Sequence, residues 1–302
     1  MDSLPSDTYG PAPRSWTVLS LLEWGAGYLE ERGCDEARLH VDLLLAHVLH
    51  VPRLSLYMQF DRPLTTAELG SFKELFLRRA AREPLQYVLG ETEFMTLRLK
   101  TDRRALIPRP ETELLVEKVV AFLKGRSSGE MRVLDIGTGS GNIALAIVHA
   151  MPDVRMTALD LSEDALALAK ENAEINGVHG IRWKNHDILQ PWYDLQKYTL
   201  IVANPPYVSS EDYRRLPPEI RQFEPERALT DGGDGSSALR RVVLLAREIL
   251  EGGGALFSEI AYNQEGESLR LAREAGLHDA VVHRDYGGHP RILEAHRGEE
   301  ER

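Results

Sequence analysis

The strongest constraint on how this chain can fold is a run of alternating glycines, Asp135-Ile136-Gly137-Thr138-Gly139-Ser140-Gly141, set between an apolar segment and a helical one. Glycine reaches positive φ without strain and puts no Cβ between the backbone and a neighbouring group. Val133-Leu134-Asp135 therefore reads as a strand that turns sharply into a helix over Asn142–Ala150. The alternation continues downstream. Met156–Asp160 is a strand, Ser162 caps a helix that runs to Asn176-Gly177, and Ile181–Lys184 and Leu200–Ala203 are strands. Ala238–Leu250 has helical spacing, Gly252-Gly253-Gly254 a turn, Ala255–Ile260 strand character, and about Glu267–Ala275 a further helix. Ala280–His283 and Ile292–His296 pair as a hairpin around Gly287-Gly288. Repeated strand–helix units give an α/β fold with a mostly parallel sheet, here ended by an antiparallel hairpin.

The segment before this core has a different period. Val18, Leu21, Leu22, Tyr28 and Leu29 share one helical face, and Gly33 stops that helix. Asp35 is placed to cap a second helix carrying Leu39, Leu43, Leu44 and Val48. Thr65 and Glu68 have the spacing of a capping box ahead of Leu69, Phe72, Leu75 and Phe76. Residues 1–14, rich in Ser, Pro and Asp, are expected to fray, and residues 15–85 to form a small helical bundle. Residues 86–105 are expected to be a connecting hairpin, with Tyr87, Leu89, Phe94, Leu97 and Leu99 in short strands around Gly90. The α/β domain then spans 106–296. It begins with Pro108-Arg109-Pro110 and a helix over Glu111–Lys124, closed by Gly125 and Ser127-Ser128-Gly129. A loop-rich insert runs from Tyr207 to Ser236, and 297–302 form a charged tail.

Composition narrows the function. A net charge of −11 disfavours non-specific binding to a phosphate backbone, which needs clustered Lys and Arg, so no stable nucleic-acid complex is expected. The single Cys34 excludes an intramolecular disulfide and a cysteine zinc cluster. No apolar run is long enough to span a bilayer, and the first residues lack a basic start and an apolar core, so a cytoplasmic location without membrane contact is expected.

The glycine turn carries the first chemical signal. A dinucleotide fingerprint would place its third glycine at 142, where the chain has Asn142. The tighter G-x-G-x-G form, Gly137, Thr138, Gly139, Ser140 and Gly141, suits a ligand with a carboxylate, an amine and a nucleoside but no pyrophosphate. S-adenosyl-L-methionine has those parts; the plain alternative is a tight βα turn with no ligand. Asp160, closing the next strand, is placed to accept from both ribose hydroxyls. Asp187 is placed to accept from an adenine amine with Ile188 packed on the ring, although an aspartate after a strand is also ordinary turn chemistry.

The second signal is Asn204-Pro205-Pro206-Tyr207, which follows the strand Leu200–Ala203. Two prolines fix φ and remove two backbone donors, leaving the Asn204 side-chain oxygen and the Pro205 carbonyl as acceptors. A planar NH2 group has two donors to offer them, and Pro206 and Tyr207 can hold its plane. Asn204 borders the cofactor as well. A proline-rich strand exit alone would be unremarkable, but ligands bind at the carboxyl ends of strands in open α/β sheets.

With these residues in place, the chain resembles the class I S-adenosylmethionine-dependent methyltransferases, a Rossmann-like fold, and more narrowly the HemK/PrmC family of release-factor glutamine methyltransferases. Pro108–Glu113, Asp135–Gly141, Asn204–Tyr207, Phe223-Glu224-Pro225 with Ala228-Leu229, and Gly232–Gly235 carry the resemblance. So do Glu259-Ile260 with Gln264, and Asp285-Tyr286-Gly287 with Arg291. Met95 and Thr96 stand where the family has an aromatic and a glycine, Ile188 where an aromatic is frequent, and Ser236 where a leucine is usual. The resemblance implies methyl transfer to N5 of the glutamine in the Gly-Gly-Gln loop of bacterial class I peptide-chain release factors. S-adenosyl-L-homocysteine is the implied product, and the helical domain is expected to contact the factor outside that loop. The alternatives are a ribosomal-protein glutamine methyltransferase, an adenine-N6 nucleic-acid methyltransferase, and an inactive cofactor-binding scaffold. Glu111 and Glu113 are placed to reach toward the cofactor, although acidic residues in a first helical turn already favour the helix dipole. Asp135 is expected to order the turn, Cys34 to be inert, and His47 to be a packed or surface histidine.

Overall fold

The computed structural model describes residues 15–126, 129–194 and 196–299, in two compact units divided between Gly90 and Glu91. The expectations for residues 1–14, Ser127, Ser128 and the end of the tail lie outside the described residues.

The first unit is helical: α1 Val18–Glu30, α2 Ala37–Leu49, α3 Arg53–Leu56, α4 Thr66–Ala80 and α5 Leu85–Leu89. Thr17 caps α1, and Thr65 with Glu68 forms the expected capping box on α4. Leu21, Leu22, Leu29, Val41, Leu44, Leu45, Phe72 and Phe76 make a core with no exposed surface. Each such side chain contributes about 1.5–3 kcal/mol of burial. Gly25 lets α1 meet α2, since a Cβ there would lie 2.9 Å from Val41 Cγ1. Asp35 does not cap α2. The N-cap is Glu36, in the left-handed region and without a side-chain hydrogen bond.

The expected strands around Gly90 are corrected. Residues 85–89 are one turn of helix begun at Pro84, and Gly90 is its left-handed C-cap with φ 79°. The hairpin is β1 Glu91–Phe94 with β2 Leu97–Lys100, turning at Met95 and Thr96.

The second unit continues with α6 Glu111–Lys124, β3 Arg132–Ile136, α7 Asn142–Ala150, β4 Arg155–Asp160, α8 Glu163–Ile175, β5 Arg182–Asn185 and β6 Tyr198–Ala203. In the insert lie the short helices α9 Ser210–Tyr213 and α10 Pro218–Phe223. Then come α11 Ser237–Ile249, β7 Leu250–Glu259, α12 Glu265–Glu274, β8 His278–Arg284 and β9 Pro290–His296. The sheet order is β5-β4-β3-β6-β7-β9-β8, parallel up to β7 and antiparallel from β7 to β9 to β8. Alternate strand residues face opposite layers. Val133, Met156, Leu200, Val202 and Phe257 pack with α6 and α7, whereas Leu134, Leu159, Ile201 and Leu256 pack with α11 and α12. All six residues of β6 are buried, as expected of a central parallel strand covered on both faces. The three glycines at 252–254 are not a turn ahead of a strand. β7 starts directly after α11, and Gly254 tucks under the Thr199 carbonyl, where a Cβ would sit 3.0 Å from that oxygen.

Register decides where the chemistry sits. Ile136 pairs with Leu159 on one side and Ala203 on the other, and Ala203 pairs with Ser258. The next residue along each strand is therefore Asp160, Gly137, Asn204 and Glu259, four neighbours along one edge. The strand order reverses between β3 and β6, so this edge is the switch point where open α/β sheets bind ligands.

Candidate active site at the carboxyl edge of the sheet

The glycine turn divides its labour. Thr138 and Ser140 point inward, 1% and 2% exposed, and the Thr138 hydroxyl donates to Asp135 Oδ2 at 2.6 Å. Gly141 packs on α8, since a Cβ there would sit 3.0 Å from Ala169 Cβ. Gly137 and Gly139 face open space. With φ of 73° and 56°, their missing Cβ atoms would meet nothing nearer than the Asn204 carbonyl at 4.0 Å and Ala105 Cβ at 3.9 Å. Asp160 accepts from Gly139 N and from Ser162 N, both at 2.8 Å. Ser162 itself caps α8 through Ala165 N, so Asp160 is not the cap. A carboxylate has about four acceptor sites, so Asp160 keeps capacity for a further hydroxyl donor beside its backbone partners. Buried Asn172 ties the turn to the hairpin, donating to the carbonyls of Ser140 at 2.9 Å and Lys100 at 3.2 Å.

These features fit S-adenosylmethionine. The glycine turn leaves room, the start of α7 would offer N–H groups and positive potential to a carboxylate, and Asp160 would offer acceptors to ribose hydroxyls. Burial pushes the Asp160 carboxyl up, opposed by its three backbone donors. Burial pushes Asp135 to about 7, with Asp160 adding repulsion against the Thr138 hydrogen bond. Asp135 in the unfolded chain titrates near about 3.9, so its contribution to stability is full below that pH and is lost as the pH rises to about 7. The melting temperature of the ligand-free protein is thus expected to fall between about pH 4 and pH 7, and Asp135→Asn to flatten that fall. An unchanged profile in that variant contradicts the assignment.

The proline corner is built from distant parts of the chain. Asn204 Nδ2 donates to Thr112 Oγ1 at 3.3 Å, and Thr112 Oγ1 donates to Glu259 Oε2 at 2.7 Å. The Tyr207 hydroxyl donates to Glu259 Oε1 at 3.2 Å. Burial pushes the Tyr207 phenol up, and neighbouring Glu259 pushes the same way, so Tyr207 stays protonated and is no base. Pro205 is buried, and Pro206 and Tyr207 are half-buried. Among the described residues, nothing donates to Asn204 Oδ1 or to the Pro205 carbonyl.

Gly235 in the insert holds this corner from behind. Its φ is 81°, and a Cβ there would fall 2.3 Å from the Tyr207 carbonyl oxygen. Gln264 closes the same contact, donating to the Gly235 carbonyl at 2.9 Å while accepting from Ala261 N. Gly235→Ala must displace the corner, and a shift of about 1 Å at a reacting group costs on the order of a hundredfold in rate. We expect that loss in kcat; a variant with unchanged kcat would show that the insert does not set the corner.

The expectation for Glu113 changes. Glu113 does not reach the pocket, because its Oε1 accepts from Met95 N at 2.6 Å, where Met95 takes a left-handed φ of 52° in the hairpin turn. Glu111 is exposed at the start of α6. Asp187 sits after the outer strand β5, with Oδ1 accepting from Leu189 N at 2.9 Å in an ordinary Asx turn. Ile188 packs on the α11 side of the core, and its carbonyl accepts from Arg241. Sequence reasoning assigned no role to Thr112 or Glu259, although both stand in motifs that carried the resemblance. It also missed that Glu224 joins the pre-core segment to the insert, accepting from Arg109 at 2.5 Å and Ile107 N at 3.1 Å.

Comparison with known proteins supports the same assignment. Residues 20–90 match the PrmC N-terminal domain and residues 110–234 the methyltransferase small domain. A release factor glutamine methyltransferase of Geobacter sulfurreducens is 38% identical over 281 residues, covering 93% of this chain and 97% of that protein. One from Bordetella pertussis is 40% identical over 259 residues, covering 84% and 93%. Among solved structures, the release-factor-specific protein-(glutamine-N5) methyltransferase of Alicyclobacillus acidocaldarius is 33% identical, with a TM-score of 0.39, covering 64% of this chain and 94% of that one. At this level of identity over nearly full length, with the glycine turn and the Asn-Pro-Pro-Tyr corner side by side on one sheet edge, the chain belongs to the release factor glutamine methyltransferases, which are S-adenosylmethionine-dependent enzymes.

Proposed function

We propose that the chain methylates the side-chain amide nitrogen of the glutamine in the Gly-Gly-Gln loop of bacterial class I release factors, in the cytoplasm. The observation that carries the reading is a pair of acceptors, Asn204 Oδ1 and the Pro205 carbonyl, that have no donor among the described residues and stand on the strand next to the glycine turn. When bound, S-adenosylmethionine supplies an electrophilic methyl group on a sulfonium. Gly137, Gly139 and Asp160 would hold it, with Asp187 and Ile188 on the adenine side.

An amide nitrogen is a weak nucleophile because its lone pair is delocalised into the carbonyl. Asn204 and Pro205 accept both of its N–H bonds, which returns electron density to nitrogen and fixes its direction. Pro206 and Tyr207 hold the amide plane. The protonated Tyr207 takes no proton, so the proton lost after transfer leaves through the two acceptors or to water. The helical unit at 15–85 would recognise the factor away from the loop.

Incubating the protein with labelled S-adenosylmethionine and, separately, a release factor, a ribosomal protein and DNA tests the proposal. Label is expected on the release factor and lost when the loop glutamine becomes alanine. Label only on the ribosomal protein or DNA would overturn it.

A further inference from the structure

We infer that Thr112 and Glu259 are positioning residues that dictate which end of the Asn204 carboxamide faces the substrate. The inference rests on the role of Asn204 proposed above and explains how that role is enforced.

Donors and acceptors fix the orientation. Glu259 is 2% exposed at the end of β7, and its two oxygens face Thr112 Oγ1 at 2.7 Å and Tyr207 Oη at 3.2 Å. An ionised carboxylate only accepts, so both hydroxyls donate to it. A threonine hydroxyl carries one hydrogen. Once that hydrogen points at Glu259, Thr112 Oγ1 offers Asn204 only lone pairs. The Asn204 atom 3.3 Å away is Nδ2, the sole end of the carboxamide that can donate. Turned over, the amide would set two acceptor oxygens against each other. Asn204 Oδ1 is therefore forced outward.

That polarity suits a donor-only group. The NH2 of a glutamine amide presents two hydrogens, which an outward Oδ1 accepts and an outward NH2 would repel. The acceptor character of the site thus originates in a buried carboxylate two hydrogen bonds away. Burial, the largest influence, pushes the Glu259 carboxyl up and Glu111 from α6 pushes the same way, while donation from Thr112 and Tyr207 and the charge of Arg291 from β9 pull it back toward the ionised form on which the chain of hydrogen bonds depends. Chains of this kind strengthen each other, and losing any member frees the next.

The test uses the full-length protein with a release factor as acceptor. Thr112→Val keeps the shape and removes the hydroxyl, so Asn204 can rotate. We expect kcat to fall by about tenfold to a hundredfold with both KM values within about twofold, since orientation and not binding is lost. Thr112→Ser should restore kcat to within about threefold of the parent, and adding Glu259→Gln to Thr112→Val should cost little more, because both act through one chain. Wild-type kcat in Thr112→Val, a change in KM alone, or failure of the serine variant to rescue a folded protein would overturn the inference. A second readout does not need turnover. The Asn204 side-chain amide protons, followed by NMR, should exchange slowly in the parent and the serine variant and fast in the valine variant. Equal exchange in all three would also overturn it. A parent protein that fails to label any release factor but shows this exchange pattern would sink the proposed function and leave the positioning intact.

Discussion

Asn204→Ala is expected to lower kcat roughly a thousandfold while S-adenosylmethionine affinity, by calorimetry, changes less than about threefold. The Asn204 Nδ2 donates to Thr112 Oγ1, and among the described residues nothing donates to its Oδ1. Truncation removes one of two acceptors for the glutamine NH2, so the nitrogen loses both its aim and part of the electron density returned to it. A single preorganised hydrogen-bond partner at a reacting centre is worth about 10²–10³ in rate, and the lost orientation adds to that. The residues proposed to hold the cofactor, Gly137, Gly139 and Asp160, make no hydrogen bond to the Asn204 side chain. Equal losses in turnover and cofactor affinity would show that Asn204 holds the cofactor and does not direct the amide.

Asp160→Ala is expected to do the reverse, weakening S-adenosylmethionine by about a hundredfold. Hydrogen bonds from hydroxyls to a charged acceptor are worth about 1.5–3 kcal/mol each, and two ribose hydroxyls are at stake. The same carboxylate fixes Gly139 N and Ser162 N at 2.8 Å, so its removal also loosens the cradle. At saturating cofactor, kcat should recover to within about tenfold of the parent, because the acceptor pair on the next strand is intact. Unaltered affinity would remove Asp160 from the cofactor site.

The parts of the site legible in the sequence are those whose chemistry is local. Gly137, Gly139 and Gly141 announce a tight turn because positive φ is written in their lack of a Cβ, and all three adopt it. Asn204-Pro205-Pro206 announces an acceptor-rich corner because proline cannot donate. The Thr65–Glu68 box closes on itself within one turn. What stayed hidden depends on register or on contacts across the chain. Thr112 and Glu259 are 147 residues apart, and only the pairing of β6 with β7 brings Glu259 beside Asn204.

Short elements hide for a different reason. Residues 85–89 make a single turn of helix, too short to show its period, and Tyr87 and Leu89 mimic the alternation of a strand. The glycines at 252–254 announce flexibility, but the sheet takes them in, because Gly254 fits where the Thr199 carbonyl leaves no room for a side chain. Glu113 sits in the first turn of α6, as dipole reasoning expects, yet its partner is Met95 N, a hairpin contact no local pattern specifies.

The position of the substrate carboxamide nitrogen decides the chemistry. A structure of the protein with S-adenosylhomocysteine and a Gly-Gly-Gln peptide measures this directly. The glutamine nitrogen is predicted within about 3.2 Å of both Asn204 Oδ1 and the Pro205 carbonyl, with the cofactor sulfur in line beyond it. A glutamine bound with its nitrogen turned away from both oxygens, while the cofactor fills the Gly137–Gly139 cradle, would contradict the account.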